Sequence, residues 1–221
     1  LHYNKIKAVK EFCKINKLNK FIYNPKNAKI GIVSTGKSFL DTKLAFEKLD
    51  IDENFANKFG IRLLKIAMPW PLEDGTIEEF SKGLNTIIVV EEKRSLIEYQ
   101  IKDILFNNHL NINVIGKLGI DNEIFFPSSG SLDPGDIALK LGNFINNLYP
   151  SDSLKNRLNI YQTDISEPLK SWCKRFNINI ETLHKSCCYS MQVGKIFFIN
   201  DKNKTLKLKN RNKIADELLG I

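Results

Sequence analysis

Four short apolar runs constrain this chain more than anything else in it: KIGIVST (29–35), IRLLKIAM (61–68), NTIIVVEE (85–92) and NINVIGK (111–117). The first three are nearly continuous in apolar residues and do not alternate as a strand with one wet face would. Strands of that kind are buried on both sides, which happens where helices cover both faces of a parallel sheet. The intervening segments supply such helices. SFLDTKLAFEKL (38–49) places Phe39, Leu40, Leu44, Ala45 and Leu49 inward, and 76–83 is a short helix. SLIEYQIKDILFNN (95–108) gathers Leu96, Ile97, Ile101, Ile104 and Leu105 on one face, and 131–148 runs as a helix from Pro134. The crossovers are expected to be right-handed.

The fold class is therefore α/β: an open, mostly parallel three-layer α/β/α sheet, with an N-terminal helix and an irregular C-terminal tail. The expected organisation is a helical lead-in over 1–24, in which Ile6, Val9, Phe12, Cys13 and Ile15 fall at helical spacing, the α/β domain over 25–149, and a linker and tail over 150–221. The tail holds a possible strand at 192–199 and the charged stretch DKNKTLKLKNRNK (201–213), a solvated face by composition.

Within the second of these regions, GIVSTGKS (31–38) fits G-x-x-x-x-G-K-[ST], the pattern of a phosphate-gripping loop. Such a loop follows a buried strand, and its backbone N–H groups wrap the phosphates. Here the apolar residues Ile32 and Val33 come after the first glycine. Gly31 thus belongs inside the strand, where a neighbouring element packs closely. Only Ser34-Thr35-Gly36 is left for the turn, too little to cradle two phosphates. Glu91 could pose as the acid that holds magnesium, but a hydrophobic strand ending in an acid is common in parallel sheets. A nucleotide-binding protein using Gly31–Ser38 is the alternative reading.

Open α/β sheets present ligands at the carboxyl ends of their strands. Ser34, Thr35, Gly36, Lys37 and Ser38 lie at one such end, beside a helix N-terminus that favours anions. Met68 and Trp70 lie at the next, and Glu91, Glu92 and Arg94 at a third. These residues are candidates for docking a ligand or a neighbouring domain; alternatively, Trp70 and its flanking prolines only shape a surface loop.

The formal net charge is +8 and the pI about 9.2. The lysines are spread along the whole chain and no nucleic-acid-binding motif accompanies them, so nucleic acid is not an expected partner. No apolar run reaches the roughly 20 residues that cross a bilayer, and the opening LHYNKIKAVKEF lacks the features of a signal peptide. A cytoplasmic protein with reduced thiols and no membrane partner is the expectation. The first residue is Leu1, which raises the possibility of a piece of something longer.

Several of these stretches together resemble one family. KAVKEFCKINKLNKFIYNPKNAKIGIVSTGKSFLDTKLAFEKLDI (7–51), IRLLKIAMPWPLE (61–73), VVEEKRSLIEYQIKDIL (89–105) and FPSSGSLDPGDIAL (126–139) are similar, in order, to the large chains of indolepyruvate:ferredoxin oxidoreductases. The resemblance runs from about residue 5 to about residue 160. It implies a region like the C-terminal domain of transketolase. It also implies a parent enzyme that oxidatively decarboxylates aryl 2-oxo acids to acyl-CoA and passes electrons to ferredoxin. That parent would use thiamine diphosphate with magnesium, 4Fe–4S clusters, and coenzyme A as co-substrate, the cofactors carrying the hard chemistry.

The chain departs from the family in telling places. It holds no G-D-G segment followed by Asn for magnesium diphosphate, no C-x-x-C run for a cluster, and no C-S-G-C-P-H-N-T-S stretch where the family has one. In its place stands SWCKRFNINIETLHKSCCYS (171–190). The expectation is a fragment of the parent, or the product of a truncated or frameshifted gene. It would bind no cofactor alone, have no catalytic residue of its own, and serve to dock other domains or subunits of the oxidoreductase. Cys173, His184, Cys187 and Cys188 are weak candidates for a metal, since H-x-x-C-C is not a usual structural zinc spacing; as reduced, partly buried thiols they need no metal.

Overall fold

The computed structural model describes residues 2–160. Five strands, β1 (Lys20–Tyr23), β2 (Ile30–Thr35), β3 (Ile61–Ile66), β4 (Thr86–Val90) and β5 (Asn113–Ile115), form one sheet in the order β1-β3-β2-β4-β5. β2 pairs in parallel with β3 and with β4, and β4 pairs in parallel with β5. Only β1 runs antiparallel, along the outer edge of β3. Six helices accompany the strands: α1 (His2–Ile15), α2 (Gly36–Lys48), α3 (Glu53–Phe59), α4 (Asp74–Ser81), α5 (Leu96–Asn107) and α6 (Pro134–Leu148). Residues 152–160 are helical as well. Residues 2–128 and 132–159 make one compact unit.

The α/β, mostly parallel sheet is the one the apolar runs imply, and helices lie on both of its faces. On one face Val33, Leu64, Ile66, Ile87 and Val89 pack with Ile77 and Phe80 of α4 and with Ile97, Ile101 and Ile104 of α5. On the other, α2 packs against α6. Gly142 of α6 makes that contact close: a Cβ there would come 2.7 Å from Leu158 Cδ2 and 3.1 Å from Leu49 Cδ1.

Gly31 is the second residue of β2, the central strand of the five-stranded sheet, and α4 comes down on it. A Cβ at Gly31 would lie 2.5 Å from Leu84 Cδ1 and 2.6 Å from Phe80 Cζ. Beside it in register stands Arg62, 7% exposed. Its guanidinium donates to Phe80 O at 2.6 Å and to Lys82 O at 2.9 Å, closing the C-terminus of α4, where carbonyls lack helical partners.

The structure corrects the sequence reading in several places. Residues 20–23 belong to the sheet as β1 and not to a helical lead-in; α1 stops at Ile15, and Lys17 takes φ 48°. Four residues against a lysine-rich flank carry too short a pattern to register. The helix α3 was not expected. Asp52 starts it by accepting from Phe55 N at 2.7 Å, and left-handed Gly60 (φ 66°) ends it. Leu40 and Leu44 point outward, 64% and 44% exposed, because the buried stripe of α2 is Ser38, Phe39, Thr42, Ala45 and Phe46. Thr42 tolerates burial by donating to Ser38 O at 2.7 Å. Leu96 likewise faces out, 48% exposed. β3 ends at Ile66, short of Met68. The expected strand at 192–199 and the residues Cys173, His184, Cys187 and Cys188 lie outside the described residues.

A side chain at Gly31 has no space without moving α4. Gly31→Val is expected to destabilise the domain by about 1–3 kcal/mol, the usual cost of overpacking, and Gly31→Ala by less. Urea unfolding followed by circular dichroism measures both; a Gly31→Val midpoint equal to wild type would contradict the packing described.

Candidate functional site

The parallel strands run β3-β2-β4-β5, and the connections after β2 and β4 leave for opposite faces. β2 leads into α2, on the α6 side, and β4 leads toward α5, on the α4 side. A crevice between neighbouring strands whose connections part in this way is the ligand-binding position of open α/β sheets. At this position β2 ends in Ser34 and Thr35 and passes into α2 over Gly36–Ser38, and β4 ends just before Glu91 and Glu92.

Lys37 spans the crevice. Its Nζ bonds Asp41 Oδ2 at 2.6 Å, donates to Leu132 O at 3.1 Å, and lies 3.9 Å from Glu92 Oε2. The Asp41 bond, helped by Glu92 and Asp133, holds the ammonium above its ordinary pKa against the opposing effect of burial. Thr35 donates its hydroxyl to Ile66 O at 2.8 Å and so does not cap α2. Gly36 takes φ 51°, the left-handed turn that lets a helix start directly after a strand. Ser34 and Ser38 are 0% and 6% exposed, so neither reaches the surface, and Ser34 Oγ has no hydrogen-bond partner.

β2 ends at Thr35 and α2 begins at Gly36, leaving no loop to wrap phosphates. Gly31, the first glycine of the pattern, is used for packing under Phe80 and Leu84. Lys37 is held on Asp41 instead of reaching back across a cradle. The match to the phosphate-loop pattern is an accident of a strand, a tight turn and a helix. Titration of the protein with Mg·ATP in a calorimeter is expected to give no binding heat; micromolar binding lost in Lys37→Ala would reverse that conclusion.

A second, more buried network closes the ends of β4 and β5. The Glu91 carboxylate, in a side chain 5% exposed as a residue, accepts from Ile97 N at 2.9 Å and Glu98 N at 3.1 Å, so it caps α5 from the strand below. Burial pushes its carboxyl above the usual range; the two N–H bonds and the Lys117 ammonium recover only part of that. Lys117 donates to the carbonyls of Glu91 and Pro127. Burial pushes its ammonium down, against the pull of Glu91, Glu98 and Glu92. Glu98, 3% exposed, accepts from Lys102 Nζ at 2.6 Å and Lys117 N at 3.0 Å. Burial alone would raise it, yet these bonds together hold it below its ordinary value. A Cβ at Gly116 would fall 2.2 Å from Glu98 Oε2, so the carboxylate needs a glycine beside it.

Gln100 fixes the loop after β3. Its carboxamide donates to Pro69 O at 2.8 Å and accepts from Leu72 N at 2.8 Å. Trp70 is 56% exposed, Met68 half-buried, and Arg94, on the connection after β4, exposed. The structure thus brings Lys37 together with Glu92 and separates Ser34, Ser38 and Glu91 from the surface. Sequence reasoning missed Glu98, Gln100 and Lys117. One signal was present: the dipeptides Gly36-Lys37 and Gly116-Lys117 follow β2 and β5, the two neighbours of β4, and bracket its acidic end.

The donor set does not fit the metal cofactors that the resemblance implies. Glu91 and Glu98 are committed to N–H and ammonium donors, and among the described residues no group of three His, Cys, Asp or Glu side chains could hold an ion. Cys13, the one cysteine described, is buried and its thiol is pushed up by burial. An open depression of about 700 Å³, lined by Tyr23, Phe46, Asp52 and Phe55 among others, lies away from all of these residues. No helix among the described residues is long and apolar enough to cross a membrane.

Residues 20–165 match the family described as "Indolepyruvate oxidoreductase domain". The chain belongs to this family. Among curated relatives, "Indolepyruvate oxidoreductase subunit IorA" of Pyrococcus horikoshii is 35% identical over 97 residues, which is 44% of this chain and 14% of that protein. The subunit of the same name from Methanothermobacter marburgensis is 27% identical over 114 residues, 52% of this chain and 17% of that protein. The match therefore spans about one-sixth or less of the relatives' length. Two solved structures are similar. A 2-oxoglutarate:ferredoxin oxidoreductase from Magnetococcus marinus is 15% identical with a TM-score of 0.40, over 64% of this chain and 23% of that one. A split-gene transketolase in an inactive β4 tetramer is 16% identical with a TM-score of 0.39, over 58% and 41%.

The sign of the Glu98 shift gives a pH test. A carboxyl held below its ordinary value stabilises the fold above the ordinary glutamate range, and that stabilisation is lost as pH falls through the folded value. Glu98→Gln is expected to cost about 1.5–3 kcal/mol at pH 7, the range for hydrogen bonds to a charged group. The gap from wild type should narrow as the pH is lowered into the acid range. Urea unfolding at a series of pH values measures it; a gap that widens on acidification has the wrong sign.

Proposed function

We propose that this chain is the docking α/β domain of a thiamine-diphosphate-dependent indolepyruvate:ferredoxin oxidoreductase. The reaction, oxidative decarboxylation of aryl 2-oxo acids to acyl-CoA with reduction of ferredoxin, belongs to the assembled enzyme. The observation that carries this is the family match over residues 20–165 of a chain that covers only 14–17% of the matched relatives. The geometry supports a docking role for this piece. The charged groups at its strand carboxyl ends are already engaged within the domain: Glu91 with backbone N–H groups of the first turn of α5, Lys117 with two carbonyls, Lys37 with Asp41. A general acid or base must instead reach a substrate proton.

Thiamine diphosphate, its magnesium and the 4Fe–4S clusters then lie on other domains or subunits, which are this chain's partners. Ferredoxin and coenzyme A meet the whole enzyme. Exposed Trp70, Arg94 and Lys37, with half-buried Glu92 and Met68, are the residues proposed to meet the neighbouring domain. Thr35 and Gly36 hold the turn, and Ser34, Ser38 and Glu91 support it from beneath. A cytoplasmic setting follows from that partnership.

The isolated chain is expected to show no indolepyruvate-dependent reduction of a viologen dye in the presence of coenzyme A and thiamine diphosphate. Coexpressed with the thiamine-binding portion of an IorA-type subunit, it is expected to copurify with it. Arg94→Glu combined with Trp70→Ala should weaken that association. Turnover by the chain alone, or failure to associate at all, would overturn the docking reading.

A further inference from the structure

Two connections at the carboxyl ends of the strands, the one after β3 and the one after β4, are joined by a single side chain. Gln100 Nε2 donates to Pro69 O and to Leu96 O, at 2.8 Å each, and Gln100 Oε1 accepts from Leu72 N at 2.8 Å. Leu96 N donates to Arg94 O at 3.0 Å, so the chain from 94 to 96 folds tightly into the start of α5. The joined segments carry two large exposed apolar side chains, Trp70 and Leu96, the latter 48% exposed, and two exposed cations, Lys93 and Arg94. Lys93 takes φ 60°, the left-handed region that residues other than Gly, Asn and Asp seldom occupy.

Neither cation is neutralised within the domain. The carboxylates that flank them in the chain are committed elsewhere: Glu91 to the N–H groups of Ile97 and Glu98, and Glu98 to Lys102 Nζ and Lys117 N, while Glu92 lies 3.9 Å from Lys37. Among the described residues no ion pair reaches Lys93 or Arg94. A guanidinium binds a carboxylate through two parallel hydrogen bonds, and Trp and Arg are the side chains on which binding energy concentrates at protein interfaces. The whole chain carries a net charge of +8, so a second copy would bring positive against positive. We infer that this surface docks an acidic segment of another polypeptide, in which carboxylates flank an apolar side chain. The carboxylates meet Lys93 and Arg94, and the apolar side chain covers Trp70 and Leu96. The inference rests on the docking reading above and names the chemistry of the partner at that edge.

The test uses the full chain and the thiamine-binding portion of an IorA-type subunit, with association followed by surface plasmon resonance over a series of salt concentrations. Lys93→Glu combined with Arg94→Glu is expected to slow association about tenfold at low salt, and the difference should shrink at high salt, because exposed charges steer encounter and are screened. Lys93→Arg combined with Arg94→Lys keeps both charges and should associate like the wild-type chain. Lys26→Glu combined with Lys58→Glu makes the same change in net charge just ahead of β2 and β3, at the other ends of the strands. An equal loss in that variant would assign the effect to net charge and overturn the inference. Carbodiimide coupling of the complex, read by mass spectrometry, is expected to join Lys93 to an Asp or Glu of the partner. Circular dichroism checks that the exposed-site variants are folded. A complex that forms but ignores the charge reversal at 93 and 94 overturns this inference and leaves the docking reading standing; no complex at all overturns both.

Discussion

Everything above the middle of this sheet depends on α4 lying against β2 without a side chain between them. Gly31 permits that approach, and Phe80 and Leu84 fill the space. Close packing is favourable in proportion to the apolar area it removes from water, but it strands the carbonyls at the end of α4. Arg62 resolves the conflict from inside, with its guanidinium on Phe80 O and Lys82 O. Its cost is visible as a pKa lowered by desolvation. With α4 anchored low on the sheet, the chain from β3 can cross β2 and return as β4. The connections after β2 and β4 leave for opposite faces of the sheet.

The charges at the carboxyl ends of the strands follow a similar logic. Burying a carboxylate is expensive unless it is hydrogen-bonded, and Glu91 is only partly compensated, as its raised pKa records. What it provides is position: one side chain at the end of β4 sets the first turn of α5. Lys117 ties the same point to the end of β5 and to Pro127, and Glu98 reaches back from α5 to the Lys117 amide. Three elements are thereby held in register by groups that would otherwise be free for chemistry. Buried ion networks are weak evidence for stability, since apolar replacements often do as well. Here the network specifies where the 91–97 connection leaves the sheet.

How much of this was legible depended on whether a signal was long and apolar. β2, β3, β4 and α5 were readable because continuous burial on both faces forces runs of Ile, Leu and Val. β1 and α3 were not: four and seven residues are too few for periodicity, and α3 rests on Asp52 and Gly60, end signals without a hydrophobic body. On α2, counting leucines misled, because its buried stripe is Ser38, Phe39, Thr42, Ala45 and Phe46, leaving Leu40 and Leu44 outside. Gly31 was correctly placed from the order of its neighbours, since apolar residues on both sides of a glycine put it within a strand. The candidate site was legible only as an edge. Lys37 and Glu92 do meet, but Ser34, Ser38 and Glu91 turned out buried, and Lys117 and Glu98 meet only because β5 lies beside β4, a fact of topology that no local pattern contains.

A closed edge changes where a function for this domain is to be sought. A site that binds and transforms a small molecule keeps polar groups converging on a space the molecule fills. At these strand ends the charged groups are instead bonded to backbone and side-chain groups of the domain itself, and the helix that a phosphate would approach begins with no loop before it. The apolar side chains, by contrast, face outward: Trp70 on the rim, Tyr99 and Phe106 along α5. Aromatic residues in such positions are enriched where proteins bind proteins. Inward-turned carboxylates at the strand ends and outward-turned aromatics agree with the docking role proposed for this domain. On that proposal, the groups that do the chemistry are carried by those neighbours.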